Sequence, residues 1–356
     1  MLPAIAARLD SVLISPRASI GEAMARLDTA GTGVLVLIDE RRKLYGIVTD
    51  GDIRRAILAG ASLDHGCAAI ATRQPLVVSP QVTAAEALHL LDHSPLGFVN
   101  NAPVVDDDGL VVGLLLRKDI VAEDAPPLAA VIMAGGFGKR MLPLTERVPK
   151  PMLRVGDRPL LQRTIERLRD AGIQRVVITT HHLGQQIEDY FGNGGAYGVH
   201  LEYVSEQRPL GTAGALGLLK DFDQTVLVIN GDVLTGVRFQ DMLAFHQEHG
   251  ADVTVGVRRC ELEVPYGVLD CDGARVTDLR EKPRTTFLIN AGIYMLQPSV
   301  RRYIPEEEHF DMTDFIKRLL RNRCRIVSFP IVEYWLDIGA PADYAQAHQD
   351  MIRAKV

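Results

Sequence analysis

The second half of the chain alternates short apolar runs with stretches of helical periodicity. Three runs have the character of parallel strands buried on both faces: residues 128–133 (LAAVIM), 175–180 (RVVITT) and 225–229 (TVLVI). Between and after them, apolar residues recur at helical spacing in three stretches: residues 160–168, 187–191 and 239–249. Strands that alternate with helices predict a doubly wound α/β sheet.

The last part of the chain continues the pattern with one insertion. Residues 266–296 read as strands joined by a tight Asp272-Gly273 turn, and we expect this insertion on the substrate side of the sheet. A helix is predicted around 315–320, a strand at 325–329 and a final helix from Pro341.

The first third of the chain contains an internal repeat. Residues 17–57 and 79–122 align at an offset of 67, so that 46–53 (GIVTDGDI) matches 113–120 (GLLLRKDI). Each copy starts with a predicted amphipathic helix, whose apolar faces are Ile20, Ala23, Met24 and Leu27, and Val82, Ala85, Leu88 and Leu91. A unit this small cannot bury its sheet alone, which predicts that the two copies pack as a pair.

Residues 121–127 (VAEDAPP) separate the repeat from the sheet with acidic residues and a Pro-Pro step, which is typical of a linker. The sequence therefore predicts two domains, an α+β module at 1–125 and a Rossmann-like doubly wound domain at 128–356.

Charge and cysteine content narrow the function. With 39 basic and 45 acidic residues the formal net charge is -6, which predicts no general attraction to nucleic acid or to an anionic membrane. No apolar run is long enough to span a bilayer, and the first residues lack a signal-peptide layout, so we expect a cytoplasmic protein. The four cysteines lack CxxC spacing, which favours buried thiols over disulfides or a zinc site.

The densest cluster of functional residue types follows the first apolar run, at residues 134–152 (AGGFGKRMLPLTERVPKPM). Glycines allow backbone N–H groups to approach an anion, and three cations stand close by: Lys139, Arg140 and Lys150. A Walker loop is excluded because Met133 would replace its first glycine. A dinucleotide fingerprint is excluded because Met141 would replace its third. The segment is therefore predicted to bind polyphosphate by another arrangement.

This glycine turn, followed by Pro-Lys-Pro-Met at 149–152, resembles the signature of the sugar-1-phosphate nucleotidylyltransferases. Six further motifs of that family follow in its order: residues 209–215 (PLGTAGA), 231–232 (GD), 266–268 (YGV), 281–283 (EKP), 290–292 (NAG) and 335–339 (WLDIG). One departure is Lys139, where the family commonly has a small Thr or Ser.

The resemblance implies roles for individual residues. The implied catalytic set is Arg140, Lys150, Asp232, Lys282 and Asp337, with Asp232 and Asp337 as the pair that holds Mg²⁺. The implied nucleotide-binding residues are Ala134, Gly135, Gly136, Gly138, Glu206, Gly211 and Thr212, and the implied sugar-binding residues are Tyr266, Gly267, Glu281, Asn290 and Gly292. Neither a protein nucleophile nor a strong base is needed, because a phosphate monoester with a second pKa of about 6 is already largely dianionic at neutral pH.

The choice of nucleobase depends on Glu206, which stands where the family often has glutamine. A carboxylate accepts two hydrogen bonds, which suits the N1–H and N2 donors of guanine and favours GTP. By resemblance to the glucosamine-1-phosphate and mannose-1-phosphate guanylyltransferases, the expected product is GDP-glucosamine or GDP-mannose.

The N-terminal repeat resembles a tandem pair of CBS motifs, a regulatory module that in many proteins binds adenine nucleotides. The hydroxyl and carboxylate of that motif map onto Thr49 and Asp52, whereas Leu116 replaces the hydroxyl in the second copy and Asp119 remains. At most one well-formed nucleotide site is implied, and an empty pair that serves only for dimerisation is an open alternative. CBS pairs commonly associate, so we expect a homo-oligomer.

Two classes of function remain open from the sequence. The first is an active nucleotidyltransferase with GTP and a sugar 1-phosphate as substrates. The alternative is a nucleotide-sensing CBS protein whose inactive nucleotidyltransferase-like domain acts as a binding platform, although Arg140, Lys150, Asp232, Lys282 and Asp337 are all present.

Overall fold

The computed structural model describes residues 8–96, 99–120, 128–219 and 223–353. The chain divides into two units, Met1–Asp124 and Ala125–Val356. The predicted linker at 121–127 lies outside the described residues.

The N-terminal unit contains two antiparallel strand pairs with short helices. Its strands are β1 (Leu13–Ile14), β2 (Val34–Ile38), β3 (Leu44–Thr49), β4 (Asn101–Val105) and β5 (Val111–Leu116). Its α-helices are α1 (Leu9–Val12), α2 (Ile20–Ala30), α3 (Asp50–Leu58) and α4 (Ala84–Asp92), with 3₁₀ turns at Cys67–Ala69 and Arg117–Asp119. Strand β2 pairs with β3 through Val34 and Thr49, and β4 pairs with β5 through Asn101 and Leu116, so the pairing follows the repeat predicted from the sequence.

The first predicted helix face is confirmed, and the second is partly wrong. Ile20, Ala23 and Leu27 of α2 are buried. In the second copy α4 begins only after Thr83, whose hydroxyl accepts from the Glu86 amide, and it buries Ala87 and Leu91 while Ala85 is exposed. The predicted stripe failed because a strict three-residue spacing drifts around a helix of 3.6 residues per turn.

The C-terminal unit is built on one large sheet. Its strands are β6 (Leu128–Met133), β7 (Arg154–Val155), β8 (Arg158–Pro159), β9 (Arg175–Thr180), β10 (His200–Ser205), β11 (Thr225–Asn230), β12 (Val233–Thr235), β13 (Val253–Glu263), β14 (Val268–Asp272), β15 (Arg275–Arg280), β16 (Arg284–Leu296), β17 (Ile326–Pro330) and β18 (Trp335–Asp337). Its α-helices are α5 (Leu160–Asp170), α6 (Gly184–Phe191), α7 (Gly211–Gly214), α8 (Phe239–Glu248), α9 (Met312–Arg321) and α10 (Pro341–Ile352).

The central sheet has the strand order β10-β9-β6-β11-β16-β13-β17. Strands β10, β9, β6 and β11 run parallel to one another, and β16 runs antiparallel to its neighbours β11 and β13. The three apolar runs predicted as buried parallel strands are β6, β9 and β11, which confirms the predicted α/β architecture. Two apolar clusters cover the sheet, one containing Ile132 and Ile178 and the other containing Val131 and Val177, because successive side chains of a strand point to opposite faces.

The predicted insertion extends beyond the sheet. The inner residues of β13 and β16 are buried in the core, but 259–263 and 284–290 are largely solvent-exposed, and β14 and β15 pair only with each other. Gly273 takes a left-handed conformation with φ of 58° in the predicted tight turn. Residues 258–289 are called the arm below.

Among the described residues, no helix is both long enough and apolar enough to cross a bilayer.

Candidate functional site

The glycine turn begins where β6 ends at the edge of the sheet. The buried Ala134 donates its amide to the Thr179 carbonyl at 2.9 Å, which ties the turn to the neighbouring strand. The Thr145 hydroxyl donates to the Gly138 carbonyl at 2.8 Å and supports the turn from behind. Gly136 is exposed, and a Cβ placed there would meet no atom within 4 Å. The turn is therefore fixed at its back and open at its front, where backbone N–H groups can face an anion.

Lys150 and Asp232 form a close ion pair beside this turn. The Lys150 Nζ donates to Asp232 Oδ2 at 2.6 Å, and the lysine side chain is only 11% exposed. Asp232 follows Gly231, whose amide donates to the Met133 carbonyl at 2.9 Å. The end of β11 is thus held against the residue that precedes the glycine turn. This places a pre-positioned ammonium group close to the polyphosphate cradle.

Asp337 is brought to Asp232 by the short ladder between β12 and β18. In that ladder Val233 pairs with Asp337, and the Ile338 amide donates to the Asp232 carbonyl at 3.0 Å. Burial raises the pKa of Asp337, the Asp232 carboxylate raises it further, and Lys150 and Arg140 oppose the shift. Asp337 Oδ1 is buried and makes no hydrogen bond. The two carboxylates are therefore close enough to repel each other, and one oxygen lacks a partner.

Arg140 lies on the same side of the site as Asp337. It sits in the 3₁₀ turn Lys139–Met141, and its Nη1 is 3.5 Å from the position that a Cβ on Gly339 would take. Lys139 points elsewhere, with Nζ 5.4 Å from the centre of the Phe137 ring. The structure thus gathers Arg140, Lys150, Asp232 and Asp337, which the sequence resemblance had assigned to catalysis.

These two carboxylates fit a hard divalent cation. Carboxylate oxygens are the ligands that Mg²⁺ uses in proteins, usually one or two of them with substrate phosphates and water completing the shell. The partnerless oxygen of Asp337 is consistent with such a ligand. No group of three or more His, Cys, Asp or Glu side chains is arranged for metal binding in the part of the chain that the structure describes.

Glu206 lies beneath the glycine turn. Its side chain is buried, Oε2 accepts from the Leu210 amide at 2.8 Å, and Oε1 is 2.5 Å from the position of a Cβ on Gly135. Any side chain at 135 would overlap the carboxylate, so this close approach requires glycine. Burial raises the pKa of Glu206, and the Leu210 amide and His181 oppose that shift. His181 also hydrogen-bonds the Glu206 carbonyl through Nδ1 at 2.7 Å and so fixes this segment.

Gly211 and Thr212 are fastened to the start of α9. The Thr212 hydroxyl accepts from the Met312 amide at 2.9 Å, and Phe310 donates its amide to the Leu210 carbonyl at 2.7 Å. The hydroxyl therefore caps a helix. Nucleotide contacts by these two residues remain a prediction.

The predicted sugar-binding residues occupy two places. Asn290 and Gly292 lie in β16, where the Gly292 amide donates to Asn290 Oδ1 at 3.0 Å. Tyr266, Gly267, Glu281 and Lys282 lie on the arm. Tyr266 is 74% exposed, and Lys282 is exposed in the turn before β16 with φ of 44°. Within the described ranges no hydrogen bond or ion pair joins Lys282 to Asp232 or Asp337, and Asp232 is paired with Lys150 instead.

Sequence reasoning missed two residues at this site. Thr145 supports the glycine turn, and the side-chain oxygen of Asn230 is buried without a hydrogen-bond partner at the end of β11. Asn230 directly precedes the Gly231-Asp232 motif, and this position was the only feature of the sequence that could have indicated that it belongs to the site.

In the N-terminal unit, Thr49 and Asp52 bond to each other. The Thr49 hydroxyl donates to Asp52 Oδ2 at 2.7 Å, the Asp52 amide donates back to the hydroxyl at 3.1 Å, and the pair caps α3. Arg55 also binds Asp52 Oδ1 at 2.5 Å. In the second copy, Asp119 accepts two hydrogen bonds from the Arg8 guanidinium, at 2.7 and 3.0 Å. The predicted ligand residues are thus also structural caps.

Comparison with known proteins places these sites in two families. A family model described as nucleotidyl transferase matches residues 129–354, and a CBS domain model matches residues 6–59 and 67–125. The mannose-1-phosphate guanylyltransferase of Mycobacterium tuberculosis is 36% identical over 231 residues, which are 63% of this chain and 64% of the relative. The UTP–glucose-1-phosphate uridylyltransferase of Synechocystis is 30% identical over 250 residues, 64% of each chain. The chain spans less than two thirds of the length of these curated relatives.

Solved structures share the fold. The crystal structure of HddC from Yersinia pseudotuberculosis is 27% identical with a TM-score of 0.50, over 63% of this chain and 99% of that one. The crystal structure of a protein from Bacillus anthracis named as a putative glucose-1-phosphate thymidylyltransferase has a TM-score of 0.52 at 24% identity, over 62% of this chain and 94% of that one.

Proposed function

The chain belongs to the nucleotidyl transferase family, and on that premise we propose that it transfers GMP from GTP to a sugar 1-phosphate, releases pyrophosphate and forms a nucleotide sugar. The observation that carries this proposal is the grouping of Lys150, Asp232, Asp337 and Arg140 beside the glycine turn. The proposed product is of the GDP-mannose or GDP-glucosamine type, and the guanylyltransferases among the relatives act, by name, on mannose 1-phosphate.

In this reaction a phosphate oxygen of the sugar 1-phosphate forms a bond to the α-phosphorus of GTP, and the bond from that phosphorus to pyrophosphate breaks. Negative charge accumulates on both sides of the α-phosphorus, so the main tasks of the protein are to position the two substrates and to neutralise the charge of their phosphates. The turn at Gly135, Gly136 and Gly138 offers N–H groups to the triphosphate. Lys150 places its ammonium group near the α-phosphate, and Arg140 adds charge at the phosphates that leave.

Asp232 and Asp337 are the residues that would hold Mg²⁺, which supplies charge neutralisation between the phosphate groups when it is bound. The Lys150 ammonium group compensates the charge of Asp232 through their ion pair at 2.6 Å. Lys282 is proposed to bind the phosphate of the sugar, and Tyr266, Gly267, Glu281, Asn290 and Gly292 to line the sugar side. Lys282 is exposed on the arm, so its ammonium group is accessible to a substrate phosphate.

Guanine selection is proposed for Glu206. One oxygen of the buried carboxylate is engaged by the Leu210 amide, and the other lies at the Gly135 turn, where a base edge with N–H donors can reach it. Gly211 and Thr212 are proposed to contact the nucleotide, and the Thr212 hydroxyl, which accepts from the Met312 amide, still has its own proton to donate.

For the rest of the molecule we propose a tandem CBS module at 1–125 and a nucleotidyltransferase domain at 128–356. Thr49 and Asp52 are the candidate contacts for an adenine nucleotide, the chain is proposed to form a homo-oligomer, and its location is proposed to be cytoplasmic. Size-exclusion chromatography with light scattering tests the assembly, and cell fractionation tests the location.

The deciding experiment measures pyrophosphate release by the full chain. GTP, UTP, dTTP, CTP and ATP are each combined with mannose, glucosamine and glucose 1-phosphates in the presence of Mg²⁺. We expect release with GTP and one of the first two sugars, and loss of release when EDTA removes the metal. Absence of release with every pair, from protein that is folded by circular dichroism, would contradict the proposal and favour an inactive binding platform.

A further inference from the structure

Asn230 is the last residue of β11 and stands two residues before Asp232. Its Oδ1 is buried and has no hydrogen-bond partner. A buried carbonyl oxygen without a partner costs free energy, so native proteins nearly always satisfy such groups with protein, water or ligand. The position at the carboxyl edge of a parallel strand is where α/β proteins bind their ligands.

The neighbouring backbone is shaped around this side chain. Gly292 lies one step beyond the last paired residues of β11 and β16, Ile229 and Ile293. A Cβ on Gly292 would be 2.6 Å from Asn230 Nδ2, and Gly292 has a φ of 71°, which L side chains rarely adopt. The hydrogen bond from the Gly292 amide to Asn290 Oδ1 holds this bend. The amide of Asn230 therefore rests against a bare Cα, with its orientation restricted.

Asn230 also lies between the two halves of the proposed site. In the sheet it pairs with Met133, the residue before the glycine turn, and on its other side it meets Gly292, which we assign to the sugar side. An unpaired carbonyl oxygen accepts a hydrogen bond, and a sugar ring offers hydroxyl donors.

We propose that Asn230 is a specificity-determining residue that accepts a hydrogen bond from one ring hydroxyl of the sugar 1-phosphate. This inference rests on the proposed function, since it concerns the second substrate of the same site. It separates sugars by the presence and direction of one hydroxyl, because a site built to bond a hydroxyl rejects an analogue that lacks it.

The test combines one variant with a series of deoxy substrates. For the wild-type protein, we expect one deoxy analogue of the accepted sugar 1-phosphate to lower kcat/KM by roughly 10- to 100-fold. Asn230→Ala should lower kcat/KM for the complete sugar by a similar factor and should show no further loss with that analogue. The KM for GTP should stay within about twofold. Asn193→Ala, in an exposed loop of the same unit, is the matched control and should behave as wild type.

Three results would overturn the inference. The first is that the losses in kcat/KM from Asn230→Ala and from each deoxy sugar analogue are additive. The second is that Asn230→Ala changes the Mg²⁺ dependence of the reaction. The third is that the non-additive loss appears with 2′- or 3′-deoxy-GTP and not with a deoxy sugar. The second result would make Asn230 a metal ligand, and the third would assign it to the ribose.

A binding measurement separates this inference from the proposed function. Saturation-transfer NMR follows the sugar 1-phosphate on each protein in the presence of a non-hydrolysable GTP analogue. If wild type binds the sugar 1-phosphate without turnover, the proposed function fails, and a loss of signal in Asn230→Ala but not in Asn193→Ala still supports the role of Asn230. If Asn230→Ala binds as wild type does, or if wild type binds no sugar 1-phosphate, the inference is wrong.

Discussion

At the scale of single residues, the Lys150 ammonium group is the most constrained cation of the site. It is 11% exposed and lies 2.6 Å from Asp232, so its position does not have to be organised when substrate binds. We predict that Lys150→Ala lowers kcat at least about 100-fold, the usual cost of removing one pre-positioned charge or donor in a transition state. Steady-state pyrophosphate release measures this. Lys317→Ala, on an exposed lysine of α9, serves as control, and equal activity of both variants would refute the role.

The Glu206 carboxylate should determine the base. Glu206→Gln keeps an oxygen that can accept from the Leu210 amide, but it replaces one acceptor by a donor. We predict that the ratio of kcat/KM for GTP over UTP falls roughly 10- to 100-fold, because a donor then faces the donors of guanine. The control is Glu202→Gln, at a partly exposed carboxylate that pairs with Arg175. An unchanged ratio in Glu206→Gln would place base selection elsewhere.

His246 should make stability depend on pH. It is fully buried between α8 and the sheet, with Nδ1 2.8 Å from Thr254 Oγ1 and Nε2 2.9 Å from Gln297. Burial lowers its pKa to about 4, and only the Asp252 carboxylate opposes that shift. The unfolded chain, with a His pKa near 6.5, therefore binds the proton first. The stabilisation is complete above pH 6.5 and is lost as the pH falls towards 4.

Between pH 7 and pH 5 this linkage amounts to about 2 kcal/mol. Urea unfolding followed by the fluorescence of Trp335 measures it. His246→Gln should remove most of the difference, whereas the exposed His200→Gln should keep it. A pH dependence that persists in His246→Gln would assign the effect to other groups.

At the scale of elements, the parallel strands could be predicted because each is a short apolar run that can be recognised from its own sequence. Residues 128–133 contain no polar side chain, and a glycine turn follows directly. The face of α4 could not be predicted as well, because its apolar residues recur every three positions, a spacing that drifts around a helix and leaves Ala85 exposed. The contact between β12 and β18 is harder still. Three residues on each side carry no periodicity, and only the motif resemblance placed Asp232 with Asp337.

The second CBS copy is fastened to the start of the described chain. The Arg8 guanidinium binds both oxygens of Asp119, which also accepts from the Leu116 amide at the end of β5 and whose side chain is 6% exposed. Arg8→Ala leaves this carboxylate poorly compensated, and we expect β5 to lose about 2 kcal/mol of protection, since breaking a buried pair is costly.

Hydrogen exchange followed by mass spectrometry measures that loss as a roughly 30-fold faster exchange of the slowest amides in 111–116. The control is Arg42→Ala, because its partner Asp10 is 96% exposed and the pair spans 3.5 Å. Equal exchange in Arg8→Ala and wild type would show that this ion pair does not stabilise β5.

At the scale of the whole molecule, the family and the two-part organisation followed from motifs read in order, while the arm did not. Its alternating residues predicted strands, but the alternation alone does not show whether those strands pack against the rest of the protein. In the structure its large apolar side chains remain exposed, Leu269 by 54% and Leu279 by 61%. Lys282 lies on this arm and is exposed, whereas Lys150 is mostly buried in its ion pair with Asp232.

The last prediction concerns regulation of turnover by a nucleotide bound to the CBS pair. If the CBS pair regulates turnover, AMP or ADP should change kcat/KM for pyrophosphate release by about 5- to 150-fold, the range of ordinary coupling free energies. Asp52→Asn should abolish this response. Because Asp52 also caps α3, loss of the cap alone must be separated from loss of the ligand contact. Glu22→Gln removes the equivalent carboxylate from the capping box of α2 and provides that control.

We expect Glu22→Gln to keep the full response to AMP and ADP, although each variant loses the carboxylate of one capping box. Equilibrium dialysis with labelled AMP gives the binding itself. Wild type that binds neither nucleotide and shows no change in turnover would make the pair a structural platform. A response that survives in Asp52→Asn would place the nucleotide away from Thr49 and Asp52, where both side chains serve only to begin the helix.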